Sequence, residues 1–166
     1  MRLTVAAVGR ARAAPEETLY DLYWQRAAAL GPKLGFGTLD RIVIDVSPAG
    51  SAAQRMREEA AKLTSRLPQQ AHRIVLDEAG RSLSSESFAN HLCELRDRGG
   101  RDLVFVIGGP DGVAPDLRKT AQERLAFGPQ TWPHLLVRVM LIEQIYRAFS
   151  ILAGHPYHRR RIHNNP

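Results

Sequence analysis

Three stretches of the chain carry residue types that can do chemistry. Phe105-Val106-Ile107-Gly108-Gly109-Pro110-Asp111-Gly112 sets paired glycines at the end of an apolar run, where missing side chains let a ligand approach the backbone. It lacks the spaced glycines of a dinucleotide fingerprint and the Gly-Lys-Ser/Thr of a phosphate loop, so taken alone it is a tight turn. Leu76-Asp77-Glu78-Ala79-Gly80-Arg81-Ser82-Leu83-Ser84-Ser85 leads from a second apolar run into a helical pattern, with Ser84 or Ser85 placed to cap the helix. No Gly-x-Ser-x-Gly surrounds these serines, which argues against a serine hydrolase. The third stretch, residues 131–166, holds His134, His155, His158 and His163 together with Arg138, Arg147, Arg159, Arg160 and Arg161, against the one acid Glu143. His155 and His158 form an HxxH pair, but no thiol or second pair accompanies it and the flanking arginines repel a cation; metal binding is not expected. The arginine excess instead predicts a phosphate-binding end, beside Tyr157 and His158, which can stack on or hydrogen-bond exposed bases.

These stretches need a scaffold, and the intervening pattern specifies one. Leu3–Val8, Arg41–Val46, Arg73–Asp77 and Asp102–Ile107 read as strands. Helical patterns follow them from Pro15, over Ser51–Leu67, over Ser84–Arg98 and over Pro115–Glu123, and Arg124–Phe127 reads as a last short strand. Such alternation predicts a layered α/β domain with a mainly parallel sheet and helices on both faces. Ligands in these folds sit at the carboxyl ends of the strands, which singles out Gly9-Arg10, Asp77–Ser85, Gly108–Gly112 and Gly128–His134. A long final helix over Pro133–Ala153 is apolar on more than one face, as suits either a central core helix or one that also meets a second subunit.

Size and composition narrow the class. The 166 residues, 44% hydrophobic and 24% charged, fit one globular domain, residues 1–166, with 155–166 a basic tail. The net charge of +6 favours polyanionic partners, and residues 131–166 supply +4 of it, five arginines less one glutamate. Cys93 is the only cysteine, so no internal disulfide forms and a reducing, cytoplasmic setting is expected. The N-terminus does not read as a signal peptide and no apolar run reaches membrane-spanning length, so no membrane association is expected.

Taken together, five motifs in order become specific: Leu76-Asp77-x-x-Gly80-x-x-x-Ser84-Ser85-x-x-Phe88-Ala89; Phe105-Val106-Ile107-Gly108-Gly109-x-x-Gly112; Thr131-x-Pro133-His134-x-x-x-Arg138-Val139; Glu143-Gln144-Ile145-Tyr146-Arg147-Ala148; and Pro156-Tyr157-His158. Over essentially its whole length the chain resembles the SPOUT-class methyltransferases that modify N3 of a pseudouridine in 23S ribosomal RNA. The resemblance implies a homodimer of α/β subunits with a C-terminal trefoil knot, a topology that strand-order rules would not have chosen. It also implies S-adenosyl-L-methionine as cofactor, bound at Leu76, at Gly108 and along Phe127, Gly128, Pro129, Gln130, Thr131 and Trp132. The ribosome and its 23S rRNA are the implied partners, met by Arg138, Tyr157, Arg159 and Arg160. In the cofactor loop Gly128-Pro129-Gln130 stands where members commonly carry Ser and Lys or similar residues, and Trp132 replaces a smaller apolar residue. The chain continues for eight residues beyond His158, whereas members often stop within one or two.

An imide N3 is mostly protonated at neutral pH, so its methylation calls for a base or for a cation that stabilises the anion. His158 is the candidate base and Arg147 the candidate anion stabiliser, and the position of His158 on the tail suits action on the partner's cofactor; the alternatives are a simple RNA contact for His158, a helix-surface salt bridge for Arg147, and deprotonation through the RNA itself. The competing expectations are a ribosome- or RNA-binding protein that keeps the scaffold without catalysis, and a methyltransferase for another RNA.

Overall fold

The computed structural model describes residues 1–10 and 14–158. Five parallel strands, β1 (Arg2–Val8), β2 (Leu39–Ile44), β3 (His72–Ser82), β4 (Asp102–Ile107) and β5 (Glu123–Ala126), form one sheet in the order β2-β1-β4-β3-β5. Alternate residues of a strand point to opposite faces, and β4 shows the consequence. Leu103, Phe105 and Ile107 enter one core cluster, while Val104 and Val106 enter the other. Helices α1 (Pro15–Leu30), α3 (Ser85–Asp97) and α5 (His134–Leu152) contribute to the first cluster; α2 (Ala52–Thr64) and α4 (Pro115–Thr120) cover the second. This is the two-sided α/β sheet expected from the alternation.

Local chemistry sets the boundaries. Ser51 and Ser84 accept hydrogen bonds from the amides of Gln54 and Ser87 and so cap α2 and α3. Ser85, the other capping candidate, donates its hydroxyl to Gln144 of α5 at 2.9 Å. α1 starts on Pro15 with Glu16 and Glu17 in its first turn, as the helix dipole favours. β3 departs from expectation: it runs past Asp77 to Ser82. After Leu76 pairs with Leu125, residues 77–80 bulge out and Arg81 and Ser82 pair again with Leu125 and Ala126. Gly80 permits this, because a Cβ there would lie 2.7 Å from the Leu125 backbone. At the other end of the short edge strand β5, Glu123 receives His72 at 2.6 Å and lies 2.8 Å from His91 of α3.

α5 is the central helix of the first cluster. Leu141, Ile142, Ile145, Ala148 and Phe149 are buried, and Phe149 packs on Phe36 with ring centroids 4.7 Å apart. Phe149 also lies against Gly31, whose Cβ would meet its ring at 2.9 Å. The core-helix reading holds for this face; Leu136 of α5, like Leu19 and Leu22 of α1, is exposed. No described helix is long and apolar enough to cross a membrane. Replacing Phe149 by Ala is expected to lower stability by about 3–5 kcal/mol, the usual cost of emptying a large buried aromatic site, read as a shift of the urea unfolding midpoint.

Candidate active site

A cleft of about 810 Å³ opens at the carboxyl ends of β3, β4 and β5. Its volume falls in the range of about 300–1,000 Å³ usual for small-molecule sites. Leu76 and Asp77 come from β3, Gly108–Val113 follow β4, Phe127 and Gly128 follow β5, and Met56 of α2 and Arg118 of α4 close one side. The segment 127–133 then crosses from β5 at the sheet edge toward the end of β1, where His134 packs against Gly9.

Seven of the eight expected cofactor residues line this cleft: Leu76, Gly108, Phe127, Gly128, Gln130, Thr131 and Trp132; Pro129 is not among its lining residues. Gly108 is required by close approach, since a Cβ would fall 2.4 Å from the backbone of Gly112. Gly128, at φ +98°, adopts a left-handed turn that side-chain-bearing residues rarely take. The loop is closed on itself by Trp132, whose indole N–H donates to the Phe127 carbonyl at 3.2 Å, and is tied to β3 by the Thr131 hydroxyl, which donates to Glu78 at 2.7 Å. Across the cleft, Arg55 of α2 grips Asp111 through two hydrogen bonds of 2.6 and 2.9 Å. Those bonds hold the Asp111 carboxyl below the usual carboxylate range and fix the glycine turn after β4. Asp77 accepts the Ala79 amide and an ion pair from Arg118 at 3.2 Å.

The lining suits a nucleoside-bearing cation: Leu76, Ile107, Leu125 and Phe127 supply apolar walls, the two glycine-containing loops supply backbone, and Asp77 and Glu78 supply carboxylates. Asp77, Glu78, Arg118 and His134 were not assigned site roles from the sequence; Asp77, Glu78 and His134 lie in strand-end segments that were singled out, whereas Arg118 comes from α4.

The basic end is arranged differently from expectation. Arg138, expected as an RNA contact, is 2% exposed; it donates to the Gly9 carbonyl at 3.1 Å and to Glu17 at 3.2 Å. Its two terminal nitrogens are taken inside the subunit, while the buried Nε has no hydrogen-bond partner among the described residues. Arg147 reaches Glu143 one turn back, at 3.0 and 2.6 Å, and lies 4.8 Å from the centre of the Tyr157 ring. Burial works against the Arg147 charge, but the Glu143 hydrogen bond and attraction outweigh it and lift its pKa above the ordinary value. Tyr157 is half-buried, donates to Glu143 at 2.9 Å and packs tilted against Tyr146 with ring centroids 4.6 Å apart. His158 lies 3.1 Å from Glu86 of α3. Neither Arg147 nor His158 lines the cleft of its own subunit. Arg159 and Arg160 lie outside the described residues.

Comparison with known proteins agrees with this architecture. The family model described as "Predicted SPOUT methyltransferase" matches residues 1–158. The chain belongs to this family. Among similar SPOUT-family chains, one from Nitrobacter winogradskyi named ribosomal RNA large subunit methyltransferase H is 52% identical over 159 residues, covering 96% of this chain and 99% of that one. A chain of the same name from Bradyrhizobium diazoefficiens is 51% identical with the same coverage. SPOUT membership implies the trefoil knot.

Because Arg138 serves the fold, its replacement by Ala is expected to cost about 1.5–3 kcal/mol, the range for a lost charged hydrogen bond. Thermal unfolding of the free protein measures it, with no RNA present.

Proposed function

We propose that this protein transfers a methyl group from S-adenosyl-L-methionine to N3 of a pseudouridine in the 23S rRNA of the large ribosomal subunit. The observation that carries the reading is the identity of about half, end to end, with chains named ribosomal RNA large subunit methyltransferase H; the strand-end cleft with its closed 127–132 loop supports it. Bound in the cleft, S-adenosyl-L-methionine supplies an activated methyl electrophile, so the protein's work is to hold, orient and exclude water. The Phe127–Trp132 loop and the Gly108–Gly112 turn offer backbone groups to a purine, Leu76 an apolar surface, and Asp77 and Glu78 negative charge near a sulfonium.

The functional unit in this reading is a homodimer, to which the exposed Leu19, Leu22, Leu136 and Trp132 offer apolar surface. Arg147 and His158, outside their own cleft, then serve the RNA side of the partner's site. The Glu143–Arg147–Tyr157 cluster ties Tyr157 back to α5, and Arg159 and Arg160 are further proposed contacts to the RNA. The cytoplasm, where ribosomes are, is the place of action.

Calorimetric titration is expected to show S-adenosyl-L-methionine binding, and mass mapping of 23S rRNA from cells with and without the gene is expected to show one methyl group lost at a pseudouridine. No binding at millimolar cofactor would favour a non-catalytic RNA-binding protein; a methyl mark on another RNA would move the substrate. Removal of residues 155–166 should leave cofactor binding in place while sharply reducing methylation of ribosomes. Equal activity of truncated and full-length protein would show that the tail does not contact substrate.

A further inference from the structure

The ionisable side chains of the cleft are committed to protein partners with one exception. Asp77 is paired with Arg118, Asp111 with Arg55, and Glu78 accepts the Thr131 hydroxyl. His134 lines the same cleft, and its ring makes no hydrogen bond to another described residue. It stands at the first turn of the 19-residue helix α5, half-buried, with its Nε2 edge over Gly9, where a Cβ would approach it to 2.8 Å. The absent side chain at Gly9 is what gives the imidazole its seat.

We propose that His134 is the catalytic base that takes the proton from the target nitrogen. The inference rests on the function proposed above. The ring is kept in the form that can accept a proton: burial first, then the Arg138 guanidinium one turn along α5, depress its pKa below 6.5. The positive end of α5 acts in the same direction. Other charges around it are balanced: Arg10 pairs with Asp45 at 2.9 Å beside Gly9, Arg138 with Glu17, and across the cleft Arg118 with Asp77 and Arg55 with Asp111. Arg12 lies outside the described residues.

In the step, the N3–H proton passes to an imidazole nitrogen and its bonding pair stays on N3. That pair forms the bond to the methyl carbon, while the methyl–sulfur bond breaks with its electrons remaining on sulfur, leaving a neutral thioether. The imidazolium then returns its proton to water. His158, tied to Glu86 outside the cleft, is left as a substrate contact and not the base.

The test is the pH dependence of single-turnover methylation of ribosomal substrate by wild type, His134→Gln and His134→Ala. General-base loss is expected to slow transfer about 10²–10⁴-fold at pH 7. The variants should gain about tenfold per pH unit from pH 7 to 9 as N3 ionises unaided, while the wild type stays flat. Added imidazole should restore His134→Ala in part, and calorimetric affinity for S-adenosyl-L-methionine should change less than about threefold. NMR titration of the unliganded wild type should show the His134 ring protonating below pH 6.5. Variants with wild-type rates, variants slowed with the wild-type pH profile, cofactor affinity lost in proportion to rate, or a His134 ring that titrates above pH 7 would each overturn the assignment. If the wild type transfers no methyl group to 23S rRNA, the proposed function itself falls, an outcome distinct from all of these.

Discussion

A buried guanidinium joins the two ends of this fold. Arg138 bridges the Gly9 carbonyl, at the end of the first strand, and Glu17, in the first turn of α1, from a position far later in the chain. Burying that charge costs several kcal/mol unless it is well paired, and the surroundings are built to pair it. Glu17 also takes Arg41 of β2, Arg41 takes Asp21, and both guanidiniums lie over the Tyr20 ring, at 5.2 and 4.6 Å from its centre. The network fixes α5 against α1 and β1, and through α5 it fixes where the 127–133 crossing ends. The far end of the loop that closes the cleft is thus held by this network together with the apolar packing of α5, and its middle by the Thr131–Glu78 hydrogen bond.

The cleft itself depends on close backbone approach more than on side-chain reach. Gly80 lets β3 resume pairing with β5 after its bulge, and Gly108 lets the turn after β4 fold back on itself. Both positions exclude any Cβ, so the floor of the site is held by main-chain geometry. The Arg55–Asp111 pair adds a side-chain clamp from the opposite face of the sheet. The two layers of helices thus meet at the site: α2 and α4 hold the turn after β4, and α5 ends the loop after β5.

Much of this was legible in the residues. The apolar runs with helical stretches between them specified a parallel α/β sheet, because a strand covered on both faces must be apolar along its length. Five of the seven cofactor residues in the cleft fall in segments that the strand-end rule picks out, and Leu76 and Phe127 each come one residue before such a segment. Strand order was not legible, since any of several parallel arrangements satisfies the same pattern. The knot entered only through family resemblance. Arg138 illustrates a different limit: an arginine in a basic stretch reads as a surface charge, and only the placement of Glu17 and Gly9, more than a hundred residues earlier, turns it inward. Arg147 and Tyr157 differ again, for the Glu143–Arg147 spacing of four was visible as a helical ion pair, while the addition of Tyr157 to it required the chain to turn back after Gly154.

The place of α5 in the core also shapes how the protein is made. The sheet face carrying Leu3, Val5, Phe105 and Ile107 has α5 as its central cover, and synthesis delivers that helix after all five strands. Until then a nascent chain holds strands whose apolar side lacks its main packing partner, the state in which chains associate wrongly. Contacts such as Gly9 with Arg138 span most of the sequence, and closure over such distances slows folding. The architecture that gathers the cleft from three strand ends therefore postpones the completion of the core until after all five strands have been made.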